Sequence, residues 1–381
     1  MKVEQFTWTE AETWKPFPPG CLGPSAQLVM IFCGTTICRK PALLKEIRAF
    51  YPEAHLFGCS TAGEIAGTQV LDDSLILTAI HFERTRIRGA KTTISSMGQS
   101  YAVGKSLASR LLDDDLAHVL VLSDGLQING SELVKGLVEV LPEGVSVTGG
   151  LSADGDRFQE TYVFWDDLPA QNQVAAVGLY GRQLHVGFGS FGGWDSFGPE
   201  RIITKSRGNI LYEFDGRSAL ALYKQYLGEH ARDLPASGLL FPIQIRMPGA
   251  DGGLVRTILA VNEADQSMTF AGDVPVGAYA RLMKANFDRL IDGAVEAAKS
   301  GHHMTGGTPA DLAILISCVG RKLILKQRVE EEVEGVQDVL GKQTILAGFY
   351  SYGEISPLSE AGNCELHNQT MTITTLSERA T

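Results

Sequence analysis

Short unbroken apolar runs alternate with helix-spaced apolar stripes through much of this chain. Gln27–Gly34 is apolar almost throughout, the pattern of a strand covered on both faces. Leu43, Leu44, Ile47 and Phe50 then recur at helical spacing behind Pro41, which suits a first helical turn because it has no N–H to leave unpaired. The next apolar run ends at Gly58. Strand, helix, strand is the βαβ pattern of a largely parallel sheet. The outline returns at His118–Gly125, a helix capped by Asn129 or Ser131 and running to Val140, and Val145–Thr148. It returns again at Leu312–Ser317, Gln327–Val339 and Ile345–Gly348.

Other stretches predict antiparallel structure. Ser74–Phe82 and Arg86–Ile94 read as a hairpin, followed by a helix over Ala102–Leu112. Thr161–Trp165, Val174–Tyr180 and Leu184–Phe191 are separated by short polar or glycine turns and read as a meander. Gly192–Pro199 reads as a loop and Arg201–Phe214 as a hairpin, with Ser218–Tyr226 helical. Phe241–Arg246, Val255–Val261 and Ser267–Ala271 are predicted strands. Leu282, Phe287, Leu290, Ile291, Ala294 and Ala297 predict one long helix over Ala278–Ser300. The last predicted strand is Thr370–Leu376.

The strand ends repeat in detail. Ala54–Ile65 closes on Gly-Cys-Ser-Thr-Ala-Gly-Glu-Ile, and Thr344–Ile355 on Phe-Tyr-Ser-Tyr-Gly-Glu-Ile. A looser copy, Val145–Asp156, closes on Gly-Gly-Leu-Ser-Ala-Asp-Gly-Asp. The expected fold is mixed α/β, two related halves of βαβ units with added antiparallel strands. Residues 1–24, rich in Pro and Gly, form an expected N-terminal arm; residues 25–215 and 216–381 form two expected domains, as suits a chain of 381 residues.

Composition narrows the classes. Apolar residues make up 44% and charged residues 20%, the balance of a folded soluble protein. A net charge of −11, with no basic cluster, argues against nucleic acid as a partner. The 6 cysteines form no C-x-x-C pair, which points to buried thiols in a reducing compartment. There is no apolar signal region at Met1–Trp8, and no apolar run of the roughly 20 residues that span a bilayer. A cytoplasmic location without membrane contact is expected.

At Phe57–Ile65, Val147–Gly155, Phe349–Ile355 and Cys364–Thr372 the chain resembles the FIST family of sensory domains, with its N-terminal and C-terminal parts. The resemblance covers about residues 25–378. It implies a non-enzymatic input module for small ligands such as amino acids. Members are frequently fused to kinase, cyclase or chemotaxis output domains. Here the chain ends soon after the last motif, so signalling in trans to a histidine kinase or a cyclic-di-GMP system is expected. In length and layout it resembles the stand-alone NosP type, which implies non-covalent haem b, nitric-oxide sensing and a two-component partner. The alternative is an amino-acid or other metabolite sensor without haem.

Candidate site residues follow from the loops at the carboxyl ends of parallel strands. Gly58, Gly63, Gly149, Gly150, Gly155 and Gly353 would let backbone N–H groups approach a ligand, or serve turns alone. Ser60, Ser152 and Ser351 add hydroxyls, and Asp154 and Tyr352 lie in the same motifs. An anionic group, a carboxylate or a haem propionate, would suit such donors. Glu64 and Glu354 occupy matching places, as receivers of an amino group or as structural acceptors. Asp124 is an expected cap for the helix near Asn129. A haem needs one axial imidazole and no fixed local motif. His230 is the first candidate, His185 the second, and His367 a pocket or hydrogen-bonding residue. His302 and His303 are expected to be solvated. A hydrolase using Ser60 or Ser152 is a further alternative. However, no G-x-S-x-G elbow, Walker A sequence or H-E-x-x-H appears.

Overall fold

The computed structural model describes residues 1–249, 253–357 and 363–378. Among them the chain forms three six-stranded sheets and one eight-stranded sheet, a mixed α/β architecture with parallel and antiparallel pairing. Each six-stranded sheet is built on one βαβ unit. Leu28–Gly34 lies parallel to His55–Thr61, Leu116–Ser123 to Ser146–Leu151, and Leu312–Cys318 to Ile345–Ser351. The crossovers contain the helices Pro41–Phe50, Gly130–Val140 and Val329–Leu340, whose apolar stripes face the core.

Three further strands extend each unit in the same way. A returning strand (Leu75–His81, Gln173–Tyr180 or Met371–Glu378) lies antiparallel to the first strand of its own unit. A preceding strand (Lys2–Thr9, Arg86–Thr93 or Leu184–Phe191) pairs with the returning one. A short arm crosses to the second strand of another unit. Glu64–Ala66 joins Ile345–Ser351, Gly353–Pro357 joins Ser146–Leu151, and Val163–Trp165 joins His55–Thr61. The three arms close a ring. The two-half organisation thus contains three repeats, and the looser middle copy is as complete as the others. In each repeat a glycine faces its partner strand: Gly58 opposite Ile31, Gly149 opposite Val121, Gly348 opposite Leu315.

The third repeat carries a long insertion, residues 194–285, which folds into the eight-stranded sheet. It has its own core of Ile203, Phe214, Tyr223, Met268 and Phe270. The chain enters the insertion through Gly192-Gly193. It leaves at Asn286, whose side chain caps the helix Phe287–Met304 by accepting from the Arg289 N–H. The buried Arg321 guanidinium donates to the carbonyls of both Gly192 and Leu290, so one side chain ties the two ends together. Gly216 is a turn at φ 73° within this insertion.

Several predicted elements sit differently. Lys2–Thr9, expected within an arm, is a strand in the first sheet. Leu75–His81 and Arg86–Thr93 belong to different sheets and form no hairpin, because residues 82–85 carry the chain from one repeat to the next. Val163–Trp165, Gln173–Tyr180 and Leu184–Phe191 go to three separate sheets rather than a meander. Within the predicted helix over 278–300, Tyr279–Ala285 is a strand, paired on one side with Ile243–Arg246 and on the other with Trp194–Arg207. Helical spacing alone did not separate a strand with Leu282 on its inner face from the helix that follows it.

Candidate functional site

The three loop tips meet one another in the interior. Ala62 N–H bonds to Tyr350 O, Ala153 N–H to Ser60 O, and Tyr352 N–H to Leu151 O. The Tyr352 hydroxyl donates to Asp154, and its ring stacks on Phe158 at a centroid distance of 4.4 Å. Ser60, Glu64, Ser152, Asp154, Ser351 and Glu354 are all 0% exposed. Their polar groups are satisfied by the fold itself. Ser60 Oγ donates to Ala153 O at 2.9 Å and Ser152 Oγ to Ser123 O at 2.9 Å. Asp154 accepts from the N–H groups of Phe158, Gln159 and Glu160.

The matching glutamates do one job twice. Glu64 accepts from the Thr61 hydroxyl and from the N–H and hydroxyl of Ser74. Glu354 accepts from the Ser351 hydroxyl and from the N–H and hydroxyl of Thr370. Thr61, not Ser60, is therefore the counterpart of Ser351. Ser74 and Thr370 each stand directly before a returning strand, so each carboxylate locks an arm to the strand it interrupts. In the middle repeat Asp124 takes this role. It accepts from the Thr161 hydroxyl and the N–H of Asn172, besides the N–H groups of Leu126 and Gln127. Asp124 is thus no cap for the helix at Gly130, which Asn129 caps. Gly149 and Gly150 lie within the strand Ser146–Leu151, and Gly58 within His55–Thr61. Gly63 adopts φ 134° at the first tip, packed against the Lys322 side chain.

The histidines are dispersed. His367 is buried with Nε2 2.9 Å from Ser356 O. His185 is half-buried on the strand Leu184–Phe191, and His230 is exposed on a 3-10 turn with its ring 5.3 Å from that of Phe241. No cluster of metal-ligating side chains occurs among the described residues.

The open space lies elsewhere. A cleft of about 860 Å³ runs between the helix Gly130–Val140, the outer strand Cys364–His367 and the inserted sheet. That volume lies within the range of small-molecule sites, roughly 300–1,000 Å³. Val134, Val138, Ile245 and Leu254 supply apolar walls, and Arg256 and Glu365 supply charge, with Glu132, Lys135, Glu139 and Asp273 also in the lining. Arg256 is 3% exposed. It donates to Asp273 O, Leu366 O and Ser131 Oγ, which leaves two of its five N–H without a partner among the described residues. Burial lowers its pKa to about 10, partly offset by the charges of Glu365 and Asp273. The half-buried Glu365 carboxylate accepts no hydrogen bond among the described residues. Burial raises its pKa, against the pull of Arg256.

Comparison with known proteins matches the FIST N domain over residues 27–217 and the FIST C domain over residues 219–357. The chain belongs to the FIST family. FIST domains are small-ligand-sensing domains of signalling proteins. An uncharacterised protein of Methanocaldococcus jannaschii, MJ1623, is 23% identical over 328 residues, covering 80% of this chain and 60% of that protein. The chain therefore spans about three fifths of that relative's length. A cyanuric acid hydrolase from A. caulinodans superposes over 100% of this chain and 99% of its own with a TM-score of 0.38 and 9% identity, a likeness too distant to argue from.

In this FIST protein the family motifs build the junction of the three repeats. The cleft residues Arg256, Asp273 and Glu365 were absent from the sequence-derived candidates. One signal was available: Arg256 interrupts the apolar run Leu254–Ala260. Among the described residues no helix is long and apolar enough to cross a membrane.

The buried junction sets a pH dependence of stability. Burial lifts Glu64 to about 7 and Glu354 to about 8, above their usual 4.5. Their contribution is therefore full below pH 4.5 and is lost as pH rises through 7 and 8. Burial lowers His118 to about 3 and His367 to about 4, below the usual 6.5. Their contribution is full above pH 6.5 and is lost as pH falls toward 4 and 3. The two pairs offset each other between 4.5 and 6.5. Thermal denaturation should show Tm rising as pH is lowered from about 9 to 6.5, a plateau to 4.5, and a fall below it. Glu354→Gln should flatten the alkaline limb; an unchanged limb in that variant would contradict the assignment.

Proposed function

We propose that this protein is a non-enzymatic sensor that binds a small amino compound in the Arg256 cleft and reports to a partner protein in trans, a histidine kinase or a cyclic-di-GMP system. The observation that carries the ligand class is one buried guanidinium with two N–H groups unpartnered among the described residues, beside one half-buried carboxylate that accepts no hydrogen bond from them, both lining the same cleft. An α-amino acid complements this pair. Its carboxylate suits Arg256 and its ammonium suits Glu365 and Asp273, while an apolar side chain suits Val134, Val138 and Leu254.

The haem reading has less support. No histidine is among the described residues lining this cleft or the cavity beside it. His230 is exposed on the inserted segment, and His185 stands between Leu184 and Val186, the neighbours that do line the second cavity. Binding without turnover is supported by the buried hydroxyls of Ser60 and Ser152, both donated to backbone carbonyls.

Calorimetric titration with apolar α-amino acids should show saturable binding. Glu365→Gln should weaken it by about 10- to 100-fold, from the ~1.5–3 kcal/mol of a hydrogen bond to a charged group. Its melting should change little, because the Glu365 carboxylate accepts no hydrogen bond among the described residues. Equal affinity in both proteins, or no binding of any amino acid, would remove the reading. Haemin added to the purified protein should give no Soret band that depends on His185 or His230.

A further inference from the structure

A second cavity, of about 840 Å³, lies against the first. Val138, Asn363 and Cys364 line both, so the two are contiguous along one side of the strand Cys364–His367. Their chemistry differs. The first holds Arg256, Asp273 and Glu365, together with Glu132, Lys135 and Glu139. In the second, Glu143 is the one charged side chain among the described lining residues. Its apolar side chains are Leu141 and Val147 from the middle repeat, Leu184, Val186 and Phe188 from an outer strand, and Met304 at a helix end, beside the polar Ser146 and Asn363.

The strand Leu184–Phe191 explains this chamber. Successive side chains of a strand point to opposite faces. Leu184, Val186 and Phe188 therefore share the face that lines the cavity. The strand is the outermost of its sheet. Val186 and Met304 are only half-buried, although both are apolar side chains on regular elements. A free amino acid placed at Arg256 and Glu365 would leave this chamber unused.

We propose that the ligand is an amphiphile: an amino-acid-type head held at Arg256 and Glu365, with an unbranched apolar tail running past Val138 and Cys364 into the chamber walled by Val186, Phe188 and Met304. This rests on the reading of the Arg256 cleft given above and specifies the ligand class for it. Charge complementarity selects the head, and the apolar side chains of Leu184, Val186, Phe188 and Met304 select the tail. Apolar contact with the chamber sets affinity, because each methylene withdrawn from water contributes about 0.8 kcal/mol, close to fourfold in Kd.

The test is a calorimetric series of straight-chain 2-aminoalkanoic acids, from 2-aminobutanoic to 2-aminododecanoic acid, on the full chain. The expected result is a Kd that tightens by about fourfold per methylene and continues to tighten well beyond 2-aminohexanoic acid. Val186→Trp and, from the opposite wall, Met304→Trp should each remove the gain of the long members and leave the short ones unchanged. Affinity that stops rising at 2-aminohexanoic acid would overturn the tail while leaving the head site standing. Tightening that persists unchanged in both tryptophan variants would also overturn it, since the tail would then lie elsewhere. If no member of the series binds, the head site fails with it.

Discussion

Gly348→Ala should unfold the protein or destabilise it by about 4 kcal/mol or more, among the largest effects open to one added methyl group. A Cβ built on Gly348 lies 1.9 Å from the Leu315 carbonyl oxygen, 2.8 Å from its carbon and 3.0 Å from its Cα. All three atoms are backbone of the paired parallel strand, so no flexible side chain can give way. Gly58 meets Ile31 O at 2.1 Å and Gly149 meets Val121 O at 1.9 Å, so alanine at either should act alike. Gly98→Ala is the control. Its added Cβ meets nothing closer than Ser96 Oγ at 4.0 Å, and the change should stay within about 0.5 kcal/mol. Urea denaturation reads both. A Gly348→Ala midpoint close to the parent's would mean that the two strands do not approach as described.

The second large effect belongs to Arg321. Arg321 and Glu332 are both 0% exposed and are joined at 2.7 Å. Glu332 also accepts from the Ser317 hydroxyl at 3.2 Å and the Tyr350 hydroxyl at 2.8 Å. Arg321→Met would leave that carboxylate buried without its cation, a loss of about 3–5 kcal/mol. It would also free the carbonyls of Gly192 and Leu290 at the two ends of the insertion. Because the inserted sheet supplies Ile245, Leu254 and Arg256 to the cleft, ligand affinity should fall along with stability. Adding Glu332→Leu removes the stranded charge and should recover much of the stability in denaturant titration. A double variant as unstable as Arg321→Met would show that the tie to the insertion, rather than the buried charge, dominates.

Legibility differed between fold and site. The βαβ units were readable because strands buried on both faces are apolar throughout, and because Leu43, Leu44 and Ile47 mark one side of a helix. The shared Gly-Glu-Ile endings were readable as a repeat. Their purpose was not, because Glu64 finds Ser74 ten residues on and Glu354 finds Thr370 sixteen residues on, across strands that leave and return. A carboxylate locking a fold and a carboxylate awaiting a ligand look the same in sequence. The cleft was hidden for a related reason. Val134, Arg256 and Glu365 come from the middle repeat, the insertion and the end of the third repeat, with no spacing to connect them.

By itself the order of residues determined three things about this protein. It specified where the central strands and crossover helices of the βαβ units lie, that a unit of structure recurs, and that glycines and small polar residues mark the ends of its strands. These depend on neighbours a few positions apart, where periodicity and turn chemistry act directly. Only the tertiary structure decided that the units number three and exchange their arms. It also decided that the marked tips close on one another, and that the open space lies beside the insertion. Those outcomes depend on which distant surfaces bury each other, and burial turned the same serines and glutamates from exposed candidates into satisfied interior groups.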